Sequence, residues 1–142
     1  PPEARIGTWV FEWYWNQPGV AHVADFVAAI KKKTGKVPTA RTWFGFASTW
    51  TCALAANGAK TLDGVKMAKY LQNMKLPPEI GLMPDQPFYR AGQNQLMPNL
   101  FVGTAQAKGI NDEDLFKVTS VVKGAEAAGP VEESGCKMTW PA

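Results

Sequence analysis

The sequence predicts an α/β or α+β domain in which one strand is followed by three helices and then a small antiparallel β element. Three observations carry this. Bulky strand formers crowd residues 6–15. Apolar residues recur at i, i+3, i+4 and i+7 from Val23 to Ile30 and again from Met67 to Met74. Two β-rich runs, 96–107 and 115–122, follow with a polar segment between them.

Taken in order, residues 6–15 read IGTWVFEWYW, a strand whose imperfect alternation suggests cover on both faces. Asn16-Gln17-Pro18-Gly19 breaks it, and Pro18 suits the first turn of a helix running to about Thr34. Val23, Phe26, Val27 and Ile30 form its apolar stripe, Lys31, Lys32 and Lys33 fill its last turn, and Gly35 closes it. A second helix is expected from Ala40 to Asn57, stopped by Gly58, with Trp43, Ala47, Trp50 and Leu54 on one side. Thr61 can cap a third, which Pro77 and Pro78 end because neither continues the hydrogen-bond ladder. Beyond it, Pro98 opens a strand to Ala107, and residues 115–122 are its hairpin partner. From Gly124 the tail is polar and reads as a weakly structured extension unless something pins it.

A length of 142 residues fits one domain. With 46% hydrophobic and 19% charged residues, the chain is neither disordered, collagenous nor coiled-coil. No run of 18 apolar residues spans a bilayer. The net charge of +3 arises in the first part of the chain: residues 1–60 carry seven Lys/Arg against three acids, and the remainder eight against nine. That excess is Lys31, Lys32, Lys33, Lys36 and Arg41, a solvated helix end rather than the aromatic-interleaved patch of a nucleic-acid binder. No nucleic-acid partner is expected. The chain opens Pro-Pro-Glu-Ala-Arg without a leader pattern and reads as a processed or truncated chain.

Catalytic signals are poor. The one histidine, His22, sits near a helix start, where a capping or surface role suffices. No GxSxG, HExxH, P-loop or GxGxxG occurs. Asp112, Glu113 and Asp114 lie together in what reads as a solvated turn. A zinc site needs about four ligands, which two distant cysteines and one histidine do not supply; neither a metal nor a cofactor is expected. Cys52 and Cys136 are either two unrelated thiols or one disulfide tying the tail to the body. Aromatics are the stronger signal. Trp13, Tyr14 and Trp15 end the first strand, and Trp43, Phe44 and Phe46 open the second helix. Most belong to the core, and the rest can line a pocket for a small amphipathic or aromatic ligand. Tyr14, Trp15, Trp43 and Phe46 are the candidate ligand-binding residues.

The run from Asp25 through Phe26-Val27-Ala28-Ala29-Ile30-Lys31-Lys32-Lys33-Thr34-Gly35-Lys36-Val37-Pro38 resembles the "FVAAYKKKYGKxP" helix of periplasmic solute-binding proteins of the branched-chain amino-acid (type I) class, which serve ABC transporters. Gly45-Phe46-Ala47 stands where that family has Tyr-Asp-Ala, and 57–65 is similar to its "AGS-x-D-x-x-x-V" helix opening. Residues 90–98, through Val102-Gly103, are similar to a late family segment preceding a strand. The likeness runs from about Gly7 to Val122.

The resemblance implies the C-terminal part of a type I periplasmic-binding-protein fold, a single partial domain over 1–142. It would comprise a hinge strand at about 6–15, helices over 18–76, a β-rich region over 86–122 and a tail from 123. It implies an extracytoplasmic receptor that binds a small amino-acid-like or aromatic-acid ligand between two lobes, presents it to a membrane permease by hinge closure, and catalyses nothing. Segments that supply most ligand contacts in the family lie outside this chain, so weak or no binding and dimerised or exchanged chains are expected of it alone. Loss of the Tyr-Asp hydroxyl and carboxylate at 45–46 tilts the ligand toward an aromatic acid. The tail resembles relatives whose terminal cysteine pairs with one on the helix after Phe46, which implies a Cys52–Cys136 bond. A stand-alone interaction domain using an exposed aromatic surface is the alternative.

Overall fold

The computed structural model describes residues 2–109 and 113–140. After a 3-10 turn, Pro2–Arg5, come β1 (Gly7–Phe11), α1 (Val23–Thr34), α2 (Ala40–Ala59), α3 (Gly64–Leu71) and a single turn, α4 (Pro78–Gly81). Then follow β2 (Phe88–Arg90), β3 (Gln95–Met97), β4 (Leu100–Ala105), β5 (Phe116–Val122), α5 (Gly124–Ala128) and a 3-10 turn, Val131–Ser134.

The main sheet is antiparallel with order β1-β4-β5. The first strand therefore pairs with one nearly a hundred residues later, Gly7 opposite Ala105 and Phe11 opposite Phe101. The long strand expected over 96–107 is two strands. Pro98 lacks the N–H that a ladder requires. Ahead of it β3 pairs with β2, and beyond it β4 becomes the centre of the sheet. The predicted hairpin is β4–β5, with a register shift between Val102 and Gly103. Gly103 is required there, because a Cβ would strike the Lys117 carbonyl.

Helix limits follow local chemistry. Residues 17–20 form a turn, the Val20 N–H donating to the Gln17 carbonyl at 3.2 Å, so α1 starts at Val23 rather than Pro18. Thr39 and Thr42 cap α2 reciprocally. Gly58 does not stop α2, which runs to Ala59; the Tyr70 ring of α3 lies where a Cβ at Gly58 would sit. The cap of α3 is Asp63, which accepts from the Lys66 N–H at 2.8 Å, while Thr61 accepts from the Asp63 N–H. Pro78 starts α4 at a position where a missing N–H costs nothing.

The core gathers Trp13, Val23, Phe26, Trp43, Ala47, Leu76, Ile80, Leu82 and Met83. The buried side of α2 is Trp43, Ala47, Thr51 and Ala55, at a spacing of four. Trp50, expected on that side, is 48% exposed. Cys52 follows the buried Thr51 and faces outward. The tail is pinned: Arg90 Nη1 donates to the Gly129 carbonyl at 2.6 Å, and Gly124 packs on the Pro98 carbonyl. This path brings Cys136 to the β2–β3 turn, its thiol 3.8 Å from the Gly92 carbonyl. The implied Cys52–Cys136 bond is thus corrected: both cysteines are exposed free thiols.

Thiol titration of denatured, unreduced protein is expected to count two reactive groups, and a count of zero would contradict this arrangement. Gly103→Ala is expected to lower the urea-unfolding free energy by about 1–3 kcal/mol through overpacking. Gly45→Ala, at an exposed helix position with open space around it, is expected to raise it by about 0.5–1 kcal/mol.

Candidate functional site

Trp9 and Phe11 of β1 and Trp13 and Trp15 of the irregular segment after it come together on one cavity. Together with Tyr14 they wall a cavity of about 410 Å³. Ala105 of β4 and Leu115 and Phe116 beside it close one flank, and residues 37–40, the connector between α1 and α2, close another. Arg5 and Glu113 contribute the charged groups of the lining. Its size and apolar walls with few polar groups are those of a small-molecule site. A second cavity, about 480 Å³, is walled by Pro18, Pro78, Pro84 and Pro87 and offers neither a charged nor an aromatic side chain.

The rings pack edge to face, the favoured arrangement of their quadrupoles. Phe116 meets Phe11 at 4.8 Å and 86°, and Tyr14 at 5.2 Å and 68°. Trp13 meets Phe26 at 5.8 Å and 88°, joining the cavity floor to the core. A polar cluster then fixes residues 14–16 against 113–114. The Tyr14 hydroxyl donates to Asp114 Oδ1 at 2.5 Å, Asn16 Nδ2 to Asp114 Oδ2 at 2.8 Å, and Trp15 Nε1 to the Glu113 carbonyl at 3.3 Å. Asp114 is buried, which corrects the expectation of a solvated turn for this residue; Asp112 lies outside the described residues. Burial, followed by the hydrogen bond to Asp114 and its charge, pushes the Tyr14 phenol well above the ordinary tyrosine range. Lys31 pairs with Glu113 at 2.5 Å, and that hydrogen bond holds the Glu113 carboxyl below its usual range. One of the three helix-end lysines is therefore engaged in this pair.

Of the four expected ligand-binding residues, Tyr14 and Trp15 line the cavity. Trp43 is 0% exposed, with Nε1 donating to the Ile80 carbonyl at 3.1 Å, and is core. Phe46 packs against Phe26 at 4.9 Å and does not line the cavity. Trp43 belongs to the core cluster that also holds Trp13, and Phe46 packs against that cluster. Sequence reasoning missed Arg5, Trp9, Phe11 and Asp114. The density of rings between Trp9 and Trp15 was the signal for the aromatics, whereas Asp114 depends on pairing across a hundred residues. His22 is exposed in a left-handed conformation and makes no side-chain cap. Among the described residues no group of three His, Cys, Asp or Glu is placed to hold a metal.

No protein-family model matches the sequence, and no curated protein is significantly similar to it. Solved structures are. A periplasmic binding protein from Burkholderia mallei superposes with a TM-score of 0.78 at 18% identity, over 93% of this chain and 34% of that one. A branched-chain amino-acid ABC transporter periplasmic ligand-binding protein from Burkholderia xenovorans LB400 gives 0.74 at 22% identity, over 89% and 33%. A solute-binding protein of an ABC transporter from Rhodopseudomonas palustris BisB5, in complex with 3,4-dihydroxybenzoic acid, gives 0.70 at 17% identity, over 87% and 32%. The similarity establishes the fold as part of a type I periplasmic-binding-protein fold, as the sequence resemblance implied. The chain spans about a third of the length of the structures it matches.

In the folded state Tyr14 holds its proton to higher pH than the unfolded chain, whose tyrosines titrate near 10. Its contribution to stability is therefore intact below about pH 10 and is lost as pH rises further. Alkaline difference absorbance is expected to show one tyrosine step displaced upward that vanishes in Tyr14→Phe.

Proposed function

We propose that this chain is part of an extracytoplasmic solute-binding component of an ABC transporter, binding a small aromatic or amino-acid-like carboxylate and catalysing nothing. The observation that carries the reading is the aromatic-walled cavity of 410 Å³ on this fold. Its volume falls in the range of small-molecule sites, and aromatic walls supply apolar area with polar tips. A structural neighbour holding 3,4-dihydroxybenzoic acid supports an aromatic acid as solute. In this reading Tyr14 and Trp15 touch the solute, and the cavity forms one wall of a cleft whose other side is a second lobe. Closure of that cleft would present the loaded receptor to a membrane permease.

The cavity walls need not move far to serve. Tyr14 and Trp15 are already held by bonds to 113–114, so little side-chain freedom is left to lose on binding. With Glu113 and Asp114 engaged by Lys31, Tyr14 and Asn16, the site disfavours an added cation and suits an anion.

A second reading, a protein-interaction domain, is favoured by Ile6, Trp9 and Val10, which are 55%, 48% and 53% exposed on and beside an edge strand. Through that face the chain would dimerise or exchange with a second copy.

Titrating the 142-residue chain with 3,4-dihydroxybenzoate, benzoate, phenylalanine and leucine, followed by the indole N–H resonances, separates these readings. Saturable shifts of Trp9 and Trp15, in the millimolar range, are expected with the aromatic acids first. Concentration-dependent dimer signals without any response to these solutes would favour the interaction reading.

A further inference from the structure

We propose that Arg5 is the carboxylate anchor at the mouth of the aromatic cavity, so that the solute it selects is a planar aromatic monocarboxylate rather than an α-amino acid. The inference rests on the solute-binding reading above and adds to it the residue that sets specificity.

Charge at the lining comes from two side chains, Arg5 and Glu113. Glu113 is engaged with the Lys31 ammonium at 2.5 Å. Arg5 differs: among the described residues its guanidinium meets a neutral acceptor, the Ala107 carbonyl, 3.0 Å from Nη2. Its own main-chain carbonyl accepts from Trp9 Nε1 at 2.9 Å. The residue is thus held from both ends, by an indole of β1 and by the chain just beyond β4. One bond to Nη2 leaves most of the five N–H donors of a guanidinium to other partners, and that fork matches a carboxylate in two parallel bonds.

Behind this cation the walls are rings. Trp9, Phe11, Trp15 and Phe116 offer faces and edges to a flat apolar body. An α-amino acid would also bring an ammonium, and the carboxylates here are already bonded, Glu113 to Lys31 and Asp114 to Tyr14 and Asn16. A second ammonium placed at Glu113 would sit beside the Lys31 ammonium already there, and like charges in one site repel. A ring bearing one carboxylate meets Arg5 without adding that repulsion.

The test compares benzoate with benzamide, its neutral isostere, on the wild-type chain, Arg5→Gln and Arg5→Lys, read from the Trp9 and Trp15 indole resonances. Wild type is expected to prefer benzoate by about tenfold or more, the worth of a charge-assisted bidentate pair. Arg5→Gln is expected to bind the two alike, and Arg5→Lys to keep a preference for the anion. Because each variant is scored by its own ratio, a small loss of stability does not disguise the result. A benzoate preference retained in Arg5→Gln, or lost in Arg5→Lys, overturns the anchor while leaving the solute-binding reading in place. If the wild-type chain takes up leucine ahead of benzoate, the aromatic-acid anchor is overturned while the solute-binding reading stands; if it takes up neither benzoate nor leucine, the solute reading itself fails and the anchor falls with it.

Discussion

Two buried indoles hold a one-turn helix in place, and the rest of the arrangement depends on them. At four residues α4 is too short to be stable alone, and its last carbonyls have no partner within the turn. Trp43 Nε1 donates to the Ile80 carbonyl at 3.1 Å, and Trp13 Nε1 to the Leu82 carbonyl at 2.9 Å. Gln17 Nε2 shares the Leu82 carbonyl at 3.1 Å. Leaving one such buried acceptor unmade costs about 1–3 kcal/mol. Tryptophan suits both positions because it couples the largest apolar area with a single donor. The interaction ties three remote stretches: the segment after β1, the start of α2, and α4.

Fixing Trp13 in the core decides what its neighbours do. Tyr14 and Asn16 reach the buried Asp114, and Trp15 reaches the Glu113 carbonyl. Asp114 shortly precedes the last strand, so this cluster links the approach to β5 with the exit from β1 on top of their shared pairing to β4. The aromatic cavity is what remains between that sheet and the α1–α2 connector. The position of the cavity lining, Tyr14 and Trp15 included, is thus set by how the core is closed.

The local signals in the sequence were sound where the cause is local. The stripe Val23–Phe26–Val27–Ile30, the glycine after α1 and the strand formers of β5 appear in the structure as read, whereas the first strand, expected over 6–15 with cover on both faces, is strand only over Gly7–Phe11 and largely exposed. Legibility ended where a distant partner decides. Gly58 reads as a stop, yet it makes room for Tyr70 inside a continuing helix. Trp50 fits the helical period of Trp43 and Ala47, but a spacing of four carries burial on to Thr51 and Ala55 instead. Asp114 looks like part of an acidic surface turn, and only its pairing with Tyr14 and Asn16 makes it a buried acceptor. Among the residues picked out as candidate ligand contacts, Tyr14 and Trp15 line the cavity while Trp43 and Phe46 pack with the core, a division decided by tertiary packing rather than by position along the chain.

If the ring-lined side of residues 9–15 is the surface a small solute meets, the contact is visible at atomic level. An isotope-filtered nuclear Overhauser spectrum of the labelled chain with unlabelled benzoate reads it out. Cross-peaks from the benzoate ring protons to Phe11, Trp15 and Phe116 are expected. Cross-peaks instead to Trp50, Leu62 and Tyr70, which are exposed on and beside the helices, would contradict a solute site on this side of the molecule.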